Sequence, residues 1–255
     1  MSIVSEIYSV LNQIAPFQLT MDFDNTGILV GNRFQPVSHC LLALDCTEEI
    51  VQQAISSNAQ LIITHHPIIF HPLKRINEDC VVYRLIQHNI AVISAHTNLD
   101  LAPGGVNDAL AARLGLCQCV GLEAVNPEQN IYLGRVGMLE QPMTADAFAK
   151  TAKEKLNAAS VKFSDCQKMI QKVAVCSGSG RDCISAAVRH NADALLTADV
   201  KHNQFLDAVS AGISLFDAGH FDTEDVIIEP LCRLLSEQIP DVSFSTSHQS
   251  SIRAI

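Results

Sequence analysis

Two buried strands are predicted from Leu41-Leu-Ala-Leu-Asp-Cys-Thr47 and Leu61-Ile-Ile-Thr64, which flank a helix pattern over residues 48–58. The helix pattern has acidic residues in its first turn and apolar residues along one face. Two strands joined by a helix normally lie parallel, with a right-handed crossover. This part of the sequence therefore predicts an α/β fold.

The same pattern returns later in the chain. Val173-Ala-Val-Cys176 and Ala194-Leu-Leu-Thr197 flank a helix pattern over residues 181–191. Thr64 aligns with Thr197 at a shift of about 133 residues. We therefore predict two similar α/β halves related by an internal repeat, with a cleft between them near the strand carboxyl ends.

The predicted limits of the halves are residues 1–125 and 126–255. They are expected to pack as one unit, with the C-terminal segment able to complete the first half. Residues 117–172 are expected to form only a connector, with strands near Ile131 and Arg135 followed by a helix from Thr144 to Asn157.

Composition narrows the classes of function. The 255 residues are 48% hydrophobic and 17% charged, which predicts a folded globular chain. The longest apolar runs fall short of the roughly 18 residues of a membrane helix, and the N-terminus lacks the pattern of a signal peptide. A formal charge of −10 disfavours nucleic-acid binding. Nine cysteines without a C-x-x-C pair are typical of a protein whose thiols stay reduced, so we predict a cytoplasmic location. We expect neither a nucleic acid nor a membrane as partner.

The strongest chemical signal is the pair His65-His66, which ends an apolar strand just before Pro67. Neighbouring strand residues point to opposite faces, so two adjacent imidazoles suit one metal ion poorly. They suit two ions if the backbone turns there. We interpret both histidines as metal ligands.

Two further motifs place a carboxylate four residues after a histidine at a strand end: His96-Thr-Asn-Leu-Asp100 and His220-Phe-Asp-Thr-Glu224. Alone, Glu224 could be an acidic residue that favours a helix N-terminus. Together with the other strand-end residues, the pattern favours a metal site in the predicted cleft. We predict that its ligands include Asp100, His220 and Glu224.

A ligand set of imidazoles and carboxylates without thiolates suits Zn, Fe, Mn, Co or Ni, and the sequence does not select among them. Two divalent ions per chain, bridged by water and a carboxylate, would supply a metal-bound hydroxide near neutral pH. The pattern therefore predicts hydrolytic chemistry.

The remaining candidates receive smaller roles. His96 is expected to orient a ligand or shuttle protons, and His202 to line the same pocket. The turn Cys176-Ser-Gly-Ser-Gly180 either joins a strand tightly to a helix or offers amides to a phosphate. The other histidines are interpreted as surface or packing residues: His39, His71, His88, His190 and His248.

Several motifs resemble one known family. They are Asp24-Asn-Thr-Gly-Ile-Leu-Val-Gly31, Ile63-Thr-His-His-Pro67, Ser94-Ala-His-Thr-Asn-Leu-Asp100, Gly104-Gly-Val-Asn-Asp108 and Asp217-Ala-Gly-His-Phe-Asp-Thr-Glu224. In this order they resemble the YbgI-like, Nif-three-like family, whose members are commonly labelled GTP cyclohydrolase 1 type 2 homologues. The resemblance covers residues 20–235.

The resemblance implies a Nif-three-like fold, a toroidal homohexamer and a dinuclear metal centre. Carried over by position, the ligands are His65, His66, Asp100, His220 and Glu224, with Glu224 bridging both ions. It also implies a nucleotide or other small molecule as substrate of a metal-dependent hydrolase. A second hypothesis is a non-catalytic metal-binding, metal-carrier or regulatory interaction protein. No catalytic residue is assigned at this stage.

Overall fold

The computed structural model of the chain describes residues 1–252, which form two β-sheets covered by helices. The strands are β1 (Gly27–Val30), β2 (His39–Ala43), β3 (Leu61–Thr64), β4 (Ala91–Ser94), β5 (Cys117–Asn126), β6 (Ile131–Met143), β7 (Lys162–Ser164), β8 (Ile170–Val175), β9 (Ala194–Thr197), β10 (Ser214–Asp217) and β11 (Ser243–Ser247). The α-helices are α1 (Val4–Ile14), α2 (Glu48–Ser56), α3 (Val81–Gln87), α4 (Thr97–Leu101), α5 (Val106–Leu114), α6 (Ala145–Leu156), α7 (Ile184–Arg189), α8 (His202–Ser210), α9 (His220–Glu224) and α10 (Ile228–Gln238).

The chain folds into two compact units. The first unit contains Met1–Ala102 and Ile228–Gln249, and the second contains Pro103–Ile227 and the segment after Gln249. The α/β class predicted from the sequence is confirmed. The internal repeat and the cleft stay predictions.

The first unit is built on a five-stranded sheet in the order β1-β4-β3-β2-β11. Strands β11, β2, β3 and β4 are parallel, and β1 pairs antiparallel with β4 at one edge. The predicted strand–helix–strand unit is present as β2, α2 and β3. Parallel pairing brings the carboxyl ends of β3 and β4 to the same edge of the sheet.

Helix α2 shows how the sequence fixes local structure in this unit. The Thr47 side chain accepts a hydrogen bond from the Ile50 amide, and Glu48 and Glu49 occupy the first turn, where the helix dipole favours negative charge. The buried face of α2 packs against β2 and β3. Its apolar residues are Ile50, Val51 and Ala54. Burial of this face stabilises the helix more than the intrinsic helix propensity of its residues does.

The second unit is built on a six-stranded sheet in the order β5-β6-β8-β9-β10-β7. Strands β8, β9 and β10 are parallel, whereas β5, β6 and β7 run antiparallel to their neighbours. One core lies on the side of α5 and α6, where the Phe148 and Phe216 rings meet edge to face 4.9 Å apart. A second apolar cluster packs α7 and α8 against the sheet.

The prediction that residues 117–172 form only a connector is wrong. The segment supplies three strands of the second sheet, β5, β6 and β7, in addition to the predicted helix, observed as α6. The two short strands predicted near Ile131 and Arg135 are one strand, β6, of 13 residues. Gly134 and Gly137 interrupt the strand's run of side chains and obscured its continuity in the sequence.

A buried ion pair anchors this antiparallel part of the second unit. The Arg135 guanidinium donates to both carboxylate oxygens of Asp108, at 2.6 and 2.7 Å, and also to the carbonyls of Tyr132 and Gly134. Asp108 in turn accepts a hydrogen bond from the Gly104 amide at 2.7 Å. The pair therefore joins the start of α5 to β6.

Within residues 1–252, no helix combines the length and the apolar character needed to cross a lipid bilayer.

We expect Asp108→Ala to lower the free energy of unfolding by about 2–4 kcal/mol, because it leaves the buried Arg135 without its carboxylate. The matched control is Glu123→Ala, which removes the exposed ion pair with Arg189 and should cost less than about 1 kcal/mol. Urea unfolding of the two variants measures the difference. Equal losses would show that the Arg135 pair has no special role.

Candidate metal centre

The candidate ligands of the first unit follow directly after two neighbouring strands. His65 and His66 come immediately after β3, and His96 follows β4 by two residues. Asp100 lies on the short helix α4, which begins after His96. Because β3 and β4 are parallel neighbours, these side chains belong to one edge of the sheet.

The three histidines form a cluster. His65, His66 and His96 each offer a ring nitrogen, and these three nitrogens lie within 4.8 Å of one another. The ring centroids are 5.0–5.5 Å apart. Such spacing is compatible with several nitrogens around one or two cations. The sequence prediction gave His96 a supporting role, whereas the structure places it beside both predicted histidine ligands.

Each of these rings is held through Nδ1 by an oxygen acceptor. His65 Nδ1 lies 2.9 Å from the Ala95 carbonyl, and His66 Nδ1 lies 2.7 Å from Asp45 Oδ1. Carbonyl and carboxylate oxygens only accept hydrogen bonds, so Nδ1 carries the proton in both rings. The lone pair of the neutral ring is then on Nε2, the nitrogen through which each histidine would bind a metal ion.

His96 is held in the same way by a buried carboxylate. Its Nδ1 donates to Asp24 Oδ1 at 2.9 Å, and Asp24 Oδ2 accepts from the amide and the hydroxyl of Thr97. Burial alone would raise the pKa of Asp24, but the hydrogen bonds from His96 and Thr97 outweigh it and hold that pKa well below its usual value. Asp24 is therefore a fixed negative charge behind His96.

Asp100 approaches the cluster from α4. Its Oδ1 lies 3.6 Å from His65 Nε2, and the His65 side chain is fully buried. A carboxylate and an imidazole lone pair at this separation are suited to sharing a cation. The structure therefore brings three of the five predicted ligands together within the first unit: His65, His66 and Asp100.

The second unit contains a local pair of candidate ligands. His220 and Glu224 lie one helical turn apart on α9, with His220 Nε2 3.1 Å from Glu224 Oε2. His220 Nδ1 lies 2.7 Å from Asp199 Oδ2, so the other ring nitrogen, Nε2, is the one that faces Glu224. Glu224 is buried, with 3% of its surface exposed.

A turn of the second unit packs directly behind this pair. Gly178 has φ of +55°, and a Cβ there would overlap Glu224 Oε1 and lie 3.2 Å from His220 Nε2. The Gly178 amide donates to Thr223 Oγ1, and the Gly180 amide donates to Thr197 Oγ1. The Ser177 amide donates to Asn107 as well. Three amides of this turn therefore already make hydrogen bonds within the protein, which argues against the alternative that the turn binds a phosphate.

A cavity of about 410 Å³ lies beside His220 in the second unit. Three aspartates line it, and Lys162 is the basic side chain among its lining residues. Burial and the nearby charge of Asp225 raise the pKa of Asp222, one of the three, to about 6. Asp199, which orients His220, is another.

The sequence missed the residues that orient the histidines. Asp24, Asp45 and Asp199 have no metal-ligand spacing, and only their positions just before or after a strand mark them. His202 was predicted to line the pocket but is exposed at the start of α8 and lies outside the histidine cluster.

Gly178→Ala is expected to lower metal content, because the new Cβ would displace Glu224 and His220. Gly104→Ala is the matched control: its φ of +76° imposes the same left-handed strain, but no atom lies within 4 Å of the new Cβ. Both variants should lose about 1–2 kcal/mol of stability. Metal analysis by mass spectrometry should separate them, and equal metal content would contradict the packing argument.

Asp199→Asn should weaken metal binding by about tenfold or more, because the neutral amide holds His220 less firmly than the carboxylate does. Competition with a fluorescent chelator measures this affinity. Asp182→Asn, at a side chain 94% exposed, is the control and should bind metal normally. An unchanged affinity in Asp199→Asn would show that the orienting bond is unimportant.

Comparison with known proteins identifies relatives over the whole chain. The family model described as DUF34/NIF3 (NGG1p interacting factor 3) matches residues 2–252. Two curated relatives are named GTP cyclohydrolase 1 type 2 homolog. The Clostridium perfringens relative is 32% identical over 253 residues and covers 97% of each chain. The Clostridium acetobutylicum relative is 37% identical over 227 residues, covering 87% of this chain and 85% of its own.

The fold is also similar to solved structures. A crystal structure of a hypothetical protein from Staphylococcus aureus superposes with a TM-score of 0.92. It is 29% identical in sequence and covers 99% of each chain. The arrangement of strands and helices described above therefore has a close experimental counterpart.

Proposed function

Because the chain belongs to the DUF34/NIF3 family, we propose that it binds two divalent metal ions and acts as a metal-dependent hydrolase on a nucleotide or other small substrate. The family membership predicted from the motifs is confirmed. One observation carries the proposal: three clustered histidines each present a ring whose Nδ1 is held by an oxygen acceptor. This arrangement is typical of histidines that bind metals.

The proposed ligands are those that the family resemblance implies. His65, His66 and Asp100 of the first unit and His220 and Glu224 of the second are proposed to bind the same two ions, with Glu224 as the bridge. The donor set fits Zn, Fe, Mn, Co or Ni, since it combines borderline imidazole nitrogens with hard carboxylate oxygens. The absence of a side chain at Gly178 supports this role for Glu224, because it leaves the carboxylate unobstructed.

Ions of this kind lower the pKa of a bound water molecule to about 7, which is the chemistry they would supply. The protein's own residues then manage protons and charge. His96 is proposed to accept a proton at Nε2, because its Nδ1 proton is held by the ionised Asp24 and the lone pair of the ring is therefore on Nε2. Asp45 and Asp199 hold the Nδ1 protons of His66 and His220, so the tautomer selected in each ring would present Nε2 to a metal ion.

The nucleotide part of the proposal comes from the names of the relatives. The Clostridium perfringens protein is named GTP cyclohydrolase 1 type 2 homolog. The formal charge of −10 disfavours a triphosphate, so the metal ions would have to offset that repulsion. Lys162, in the cavity beside His220, would contribute one positive charge.

A second candidate is a non-catalytic metal-binding, metal-carrier or regulatory interaction protein. The description of the family model favours it, because it names an interacting factor rather than a reaction. The same ligands would then hold exchangeable ions. Fold and family do not decide between catalysis and binding, so the site chemistry must be measured.

We also propose the toroidal homohexamer implied by the resemblance and a cytoplasmic location. All nine cysteines are free thiols, as expected in a reducing compartment.

Metal stoichiometry tests the proposal directly. We expect about two divalent ions per chain in protein purified without chelators. Glu224→Gln should lower this content more than His202→Ala does, because only Glu224 is proposed to hold both ions. Full occupancy in both variants would contradict the ligand assignment.

Turnover separates the two candidate functions. Metal-loaded protein should hydrolyse GTP or a related nucleotide, and removal of the metal should abolish the reaction. Two bound ions that exchange freely, with no turnover across a panel of nucleotides, would favour the carrier function instead.

A further inference from the structure

A groove on the first unit is lined by a serine that makes a hydrogen bond to a histidine, in a part of the fold that the proposed metal site does not use. The groove has a volume of about 550 Å³ and runs between α2 and the edge strand β11. Ser57, just after α2, and Ser245, on β11, are among its lining residues. His39, at the start of β2, makes a hydrogen bond to each of them.

The two hydrogen bonds fix the protonation of His39. Its Nδ1 lies 3.0 Å from the Ser57 carbonyl oxygen, which can only accept, so Nδ1 carries the proton. The lone pair is therefore on Nε2, 2.8 Å from Ser245 Oγ. The serine hydroxyl must donate to that lone pair, which is the arrangement of a hydroxyl nucleophile and its general base.

We propose that Ser245 and His39 form a nucleophile–base pair that cleaves small uncharged esters, with the Ser57 carbonyl orienting the base. This activity is separate from the proposed metal-dependent function. It needs no metal ion, because the nucleophile, the base and the orienting carbonyl are all supplied by Ser245, His39 and Ser57.

The reaction balances within this set of groups. Ser245 Oγ attacks the ester carbonyl carbon while its proton moves to His39 Nε2. The C–O bond to the leaving alcohol then breaks, and the alkoxide takes that proton. Water, deprotonated by the same nitrogen, attacks the acyl-serine and releases the carboxylic acid and the free hydroxyl.

The surroundings of the pair indicate the class of substrate. The groove is lined mainly by neutral hydroxyl and amide groups, and Glu49 is its charged side chain, so an anionic substrate would be repelled. Gln53 lines the same groove, and its side chain forms no hydrogen bond within residues 1–252. Its amide offers donors to a developing oxyanion. Ser245 and His39 are both half-buried, so a small ester can reach the hydroxyl.

Labelling with a fluorophosphonate probe tests the proposal on the full chain, once as purified and once after removal of metals by a chelator. The serine oxygen displaces fluoride from phosphorus, and the adduct is located by mass spectrometry. We expect one adduct at Ser245, formed equally in both preparations. Ser245→Ala and His39→Gln should lower the labelling rate by at least about tenfold.

The matched control is Ser243→Ala, an exposed serine two residues earlier on the same strand, which should label normally. If the His39→Gln variant keeps the wild-type melting temperature, unfolding is excluded as the cause of its slower labelling. The proposal is overturned if wild type stays unlabelled, if the adduct forms elsewhere, or if His39→Gln labels at the wild-type rate. Labelling that requires bound metal would also overturn the proposal of a nucleophile–base pair, but it would not contradict the proposed metal site.

Discussion

The candidate centre depends on one repeated interaction, a hydrogen bond from histidine Nδ1 to an oxygen that can only accept. An imidazole on a flexible side chain has two nitrogens and two tautomers, and only one combination presents a lone pair in a given direction. In His65 a backbone carbonyl makes the selection, and in His66, His96 and His220 a carboxylate does. All four acceptors lie just before or just after a strand: Ala95 after β4, Asp45 after β2, Asp24 before β1 and Asp199 after β9.

This constraint also accounts for the acidic character around the histidines. A carboxylate behind a ring raises its basicity and strengthens it as a ligand, at the cost of gathering negative charge. Asp24 shows how the fold tolerates such a charge, since hydrogen bonds from Thr97 and His96 replace the water that burial removes. Such a group of carboxylates would repel one another unless cations were bound nearby.

The sequence predicted the parts of the fold in which local pattern and burial agree. Strands β2 and β3 are continuous apolar runs, and α2 has its cap, acidic first turn and apolar face in register, so the parallel unit could be identified. Strand β5 was not predicted because it is mostly exposed at a sheet edge, and β6 was predicted as two short strands because glycines interrupt it. Among the site residues, the His-His pair and the two His-x-x-x-carboxylate spacings could be recognised in the sequence as candidate metal ligands. Asp45 was not, because it approaches His66 only through the pairing of separate strands.

The place of β11 in the first sheet has a consequence for biosynthesis. This strand, near the end of the described chain, pairs with β2, near its beginning, so residues Pro103–Ile227 of the second unit are translated between the two. While the ribosome makes that unit, the outer side of β2 is an unpaired strand edge able to join another chain. The first unit therefore reaches its complete sheet only after the C-terminal segment has left the ribosome, and contacts of such high sequence separation form slowly. A nascent chain of this protein passes through a stage in which most of its second unit can fold while the sheet of its first unit is still open.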